Sequence, residues 1–189
     1  MSGEMLGDRR RALEESYFDQ KDKELLEQMR RKMETGEREK ALAEATGITD
    51  KMVLADLAKS GSEPGALAAL GLVPLVEIAW SDGSISDGER TAVLKAAAEM
   101  GIAAGSPSQE LLQKWLIARP PVGAVVAWKE YVKALVGTMP PDRAKSMQAS
   151  IIGRAKKVAE SSGGILGMGN KISAAEQGML DDLAKAFEK

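Results

Sequence analysis

One helix entrance is written twice in this chain. Ile85-Ser86-x-x-Glu89-x-x-x-Val93-x-x-Ala96 returns 87 residues later as Ile172-Ser173-x-x-Glu176-x-x-x-Leu180-x-x-Leu183. Ser-x-x-Glu is a capping box, in which the serine oxygen accepts from a first-turn amide while the glutamate reaches back to the serine's own amide. The apolar residues that follow keep helical spacing. Upstream the match continues at a shorter offset, Ile78-Ala79-Trp80-Ser81-Asp82-Gly83 against Val158-Ala159-Glu160-Ser161-Ser162-Gly163, so the second loop carries the extra residues Gly164 to Asn170. A duplicated helix-loop-helix commits much of the chain to helix.

The remaining stretches agree. Thr49 is placed to cap a helix through Lys59, and Ser106-Pro107-Ser108-Gln109 opens another with proline in its first turn. The apolar region Ala66 to Trp80 contains Pro74, where a kink is expected. Pro120-Pro121 and Pro140-Pro141 bracket a helix with Trp128, Tyr131, Val132 and Leu135 on one face and Gly137 at its end. Helices over 142–160 and 173–187 complete the series. No alternating run is long enough for a strand. The expected fold class is therefore all-α, a single helical domain of about seven to eight helices with an internal helix-loop-helix pseudo-repeat over 48–189, plus an N-terminal amphipathic helix over 1–47.

That N-terminal segment interleaves acidic and basic residues around a narrow stripe of Leu13, Tyr17, Phe18, Leu25, Leu26, Met29 and Met33. Such a stripe docks on its own domain, pairs with a second copy, or meets another protein. Gly36 and Thr46-Gly47 mark breaks.

Composition removes several function classes. There is no histidine and no cysteine, which excludes disulfides, thiolate nucleophiles, sulfur-ligated zinc and the imidazole that activates serine or cysteine. No enzyme is expected. A net charge of −2 does not attract a polyanion, so nucleic-acid binding is not expected either. The longest apolar stretch, Ala66 to Val76, is far short of the roughly 20 residues that span a bilayer. With no basic-then-apolar leader at its start, the chain is expected to be cytoplasmic.

The capping boxes account for Ser86, Glu89, Ser173 and Glu176 but leave Asp82 and Asp87 over. Starting an EF-hand loop at Asp82 puts Asp87 where glycine is required and Val93 where a bidentate glutamate is required, so that motif is excluded. A shorter loop could still gather Asp82, Asp87 and Glu89 as oxygen ligands, with Glu77 a turn earlier. Glu89 and Glu176 each head a buried stripe, where a carboxylate needs an amide cap, a basic side chain or an ion. The Gly163 to Lys171 segment lacks the Lys-Ser/Thr ending of a phosphate loop and reads as an apolar tongue that tucks in or meets a partner.

The runs "LVPLVEIAWSDGSISDGERTAVLKAAAEMGI" and "VAESSGGILGMGNKISAAEQGMLDDLAKAF" resemble the TerB-like, or tellurite-resistance, family. The resemblance covers about residues 66 to 188. It implies an all-helical fold of two pseudo-repeated units, an acidic cluster serving as a divalent-cation site, and roles in stress response and membrane-associated signalling. By the same resemblance, Glu77, Asp82, Asp87 and Glu89 take the acidic positions of the first motif and Glu176 that of the second. Ser162 stands where the family has aspartate. The resulting expectation is a non-catalytic adaptor with an acidic loop that binds Ca²⁺ or Mg²⁺, meeting a protein partner through the N-terminal helix or the 163–170 loop, or forming a homo-oligomer. The alternative is a metal-free interaction module whose acidic loops are only helix caps.

Overall fold

The computed structural model describes residues 2–18, 22–34, 38–46, 48–59, 64–99, 101–121, 123–162 and 172–188. Its α-helices are α1 (Ser2–Tyr17), α2 (Lys23–Glu34), α3 (Arg38–Thr46), α4 (Lys51–Lys59), α5 (Pro64–Ala79), α6 (Asp87–Glu99), α7 (Pro107–Ile117), α8 (Gly123–Gly137), α9 (Pro141–Ser162) and α10 (Ala174–Ala184). A 3₁₀ turn, Lys185–Phe187, follows. Among the described residues there is no strand, and no helix is long and apolar enough to cross a membrane.

The helix PGALAALGLVPLVEIA decides the architecture. It is apolar on every side, and a helix of that kind must be surrounded. All of Pro64 to Ile78 is buried, and α1, α2, α3, α6, α7, α8, α9 and α10 all pack on α5. The helix runs on through Pro74, where packing on all sides offsets the lost hydrogen bond. Gly71 is where α3 arrives: a Cβ there would lie 2.5 Å from the Thr46 carbonyl oxygen. Only glycine lets the two backbones approach so closely.

The amphipathic helix expected over 1–47 is instead three, α1, α2 and α3; α2 ends at Glu34 and α3 begins at Arg38, on either side of the break expected at Gly36, whereas the separation of α1 from α2 was not expected. One unbroken rod of that length would extend roughly 70 Å and could bring only part of its stripe to α5. Broken, it wraps: Leu13, Tyr17, Met29 and Leu42 join the one buried core, and Phe18, Leu25 and Leu26 pack against it. The side chain of Met33 lies outside the described residues. Gly65 makes room for this docking, because a Cβ there would sit 3.2 Å from Glu14 and 3.3 Å from Phe18. Glu14 Oε1 accepts from the Ala66 amide at 3.3 Å, so α1 helps to cap α5 from outside.

The cap of α4 also differs from expectation. Asp50, not Thr49, accepts from the amides of Met52 (2.9 Å) and Val53 (3.2 Å). Its second oxygen takes a hydrogen bond from Ser146 of α9, a tertiary bond that the carboxylate's two oxygens allow and a hydroxyl does not. The serine bond, followed by the two amides, holds the Asp50 carboxyl below its ordinary range.

Candidate functional site

Both expected capping boxes form. At α6, the Ser86 amide donates to Glu89 Oε2 at 2.7 Å and the Glu89 amide donates to Ser86 Oγ at 3.2 Å; the Ser86 hydroxyl also donates to Glu89 Oε2 at 2.7 Å. At α10, the Ser173 amide donates to Glu176 Oε2 at 2.7 Å and the Glu176 amide to Ser173 Oγ at 3.2 Å. These bonds satisfy amides that no helix supplies with a partner. Behind each box the inward stripe is buried, Val93 and Ala96 in α6, Leu180 and Leu183 in α10.

The loop before α6 is shaped by turn chemistry. The Ser81 amide donates to Ile78 O and the Gly83 amide to Trp80 O, while Gly83 takes a φ of 91°, a conformation that disfavours side chains. Asp82 Oδ1 accepts from the Ser84 amide at 3.0 Å, which closes an Asx turn.

These pieces converge. A cavity of about 130 Å³ lies between the end of α5 and the entrances of α6 and α10, with Asp82, Glu89 and Glu176 together with the hydroxyl residues Ser81 and Ser173 on its wall. Ile78, Ala79 and Val93 form its apolar side. Glu176 is 9% exposed. Among the described residues no three acidic side chains close on one point tightly enough to hold an ion directly.

The other two expected ligands are elsewhere. Asp87 is 97% exposed by its side chain and pairs with Arg90 at 2.6 Å. Glu77 is buried and receives Arg119 Nη2 at 3.4 Å. Burial raises its carboxyl above the usual range, against the opposing pull of Arg119 and then Lys129. Tyr17 stands nearby; burial and then the Glu77 charge push its phenol upward, and its hydroxyl has no hydrogen-bond partner among the described residues. Helical phase explains the split, because Glu77 is one residue from Ile78 and so points about 100° away from it.

Sequence reasoning missed the anchors of this loop. Trp80 Nε1 donates to Trp115 O at 2.9 Å and Arg90 Nε donates to Leu116 O at 3.3 Å. Both ends of the acidic loop are thus tied to consecutive carbonyls in the last turn of α7, which are open because helix C-termini leave carbonyls unpaired. Ser81 and Ser173, also on the cavity wall, were legible only as turn and cap residues. No family model, curated protein or solved structure matches the chain.

Proposed function

We propose that the chain is a non-catalytic, TerB-like adaptor whose cleft between the entrances of α6 and α10 takes a divalent cation, Ca²⁺ or Mg²⁺. The observation that carries this reading is the placement of Asp82 and Glu89, from one loop, and Glu176, 87 residues after Glu89, on the wall of one cavity. The two entrances read as copies of a single helix-loop-helix, with matching boxes and matching inward stripes. Because each glutamate is already committed to a cap, the cation binds weakly. Of the segments expected to meet a protein partner, 1–47 spends its apolar stripe on the core. The 163–170 loop, outside the described residues, is left as the proposed contact.

Titration calorimetry with CaCl₂ and MgCl₂ tests the cation. Saturable heat in the native protein, lost in Asp82→Asn and in Glu176→Gln, is the expected result. No heat and no thermal shift at millimolar metal removes the cation and leaves the second reading, a metal-free interaction module. That reading is favoured by one observation, that in each box the serine and the glutamate satisfy one another's amides. It predicts that Ser173→Ala costs about 1 kcal/mol whether or not metal is present.

A further inference from the structure

The last turn of α7 and the residues just after it touch two regions that do not otherwise share these bonds. On one side stand the N-terminal helices. The Trp115 ring, 2% exposed, lies 5.1 Å from the ring of Tyr17 and 5.5 Å from that of Phe18. Its neighbour Lys114 donates to Asp22 Oδ1 at 2.7 Å, and the Asp22 side chain is 2% exposed. On the other side stands the acidic loop, tied through Trp80 to Trp115 O and through Arg90 to Leu116 O. Arg119, two residues beyond α7, reaches Glu77 near the end of α5.

We propose that this turn is a mechanical relay, so that the position of the acidic loop and the docking of α1 and α2 rise and fall together. One residue, Trp115, serves both: its ring holds Tyr17 and Phe18, and its carbonyl holds Trp80. The backbone of a helical turn moves as a unit, so a shift that satisfies Trp80 and Arg90 carries the indole and Lys114 with it. Contacts of this kind are discrete; a packed indole and a lysine paired with a buried carboxylate are either made or broken. Coupling through such an element is reciprocal by thermodynamic necessity. The relay stands without any cation. When the cleft is filled or emptied, it is a route by which the N-terminal helices sense the change, beside their direct packing on α5.

Hydrogen exchange read by mass spectrometry tests this in metal-free buffer on the full chain, so that the outcome is independent of the cation. Trp80→Phe removes the indole donor and keeps an aromatic ring; Arg90→Met removes the guanidinium and keeps the stem. Each should speed exchange over residues 13–18 and 22–26 by about fivefold to tenfold, the effect of losing one hydrogen bond. Ser146→Ala, which breaks the bond between α9 and α4, controls for a general loss of stability and should leave those segments much less affected. In the reverse direction Asp22→Asn should speed exchange over residues 84–90. Exchange at 13–18 and 22–26 that is unchanged, or raised no more than by Ser146→Ala, overturns the relay, and so does an effect that runs in one direction only.

Discussion

At the scale of single residues, the acids divide by how far away their partners lie. Glu89 and Glu176 find theirs three residues back, which is why Ser-x-x-Glu announces them. Glu77 finds Arg119 at a separation of 42 residues, and nothing in the sequence marks that pair. The ion pair does not cover the cost of burial, since the Glu77 carboxyl is held above its ordinary range. The folded state therefore binds the proton more tightly than the unfolded one. Stability from protonated Glu77 is complete below the unfolded value, about 4.3, and is lost as pH rises through the folded value. Thermal melts of Glu77→Gln should match the native protein near pH 4 and gain on it as pH rises to 7; a variant that falls progressively behind over that range contradicts the assignment. Arg154 shows a similar cost. It is 8% exposed, its Nε donates to Ser150 O, and its two terminal nitrogens have no hydrogen-bond partner among the described residues; burial lowers the guanidinium to about 10.

At the scale of elements, helix starts were legible where a serine cap writes them, as at α7, where Ser106 accepts from the Gln109 amide, whereas α5 begins at Pro64, in a stretch that reads as a turn. Where two candidates adjoin, as with Thr49 and Asp50, the choice went to the residue with a second, tertiary bond to make. The break between α1 and α2 carries no glycine or proline within 18–22. It follows from the need to bring both Tyr17 and Met29 into one core. Contact between elements is tightest where α3 ends on α5. Gly71→Ala would place a methyl group 2.5 Å from a backbone oxygen that no rotamer can move, and should destabilise by about 1–3 kcal/mol or more. Denaturant unfolding of this variant reads the loss directly; a change near zero would mean that α3 does not lie against α5 as described.

At the scale of the whole molecule, α5 is the hub, and α1, α2 and α3 are three of the helices that cover it. A chain beginning at residue 48 would uncover the parts of α5 on which α1, α2 and α3 pack, Gly65 and Gly71 among them. Such a truncation should lose near-ultraviolet circular dichroism and bind an apolar dye, the behaviour of a compact state without fixed packing. Retention of a sharp, cooperative melt would show instead that 48–189 folds by itself. The amino-acid order alone determined the helical class, both capping boxes and the position of the apolar stretch that becomes α5, because each of these depends on residues within a few turns of one another. Tertiary structure alone decided which segments cover that helix. It also separated Glu77 from the cavity shared by Asp82, Glu89 and Glu176, and tied the acidic loop to α7. These contacts join residues tens of positions apart, and an apolar stripe specifies that it will be buried without specifying against what.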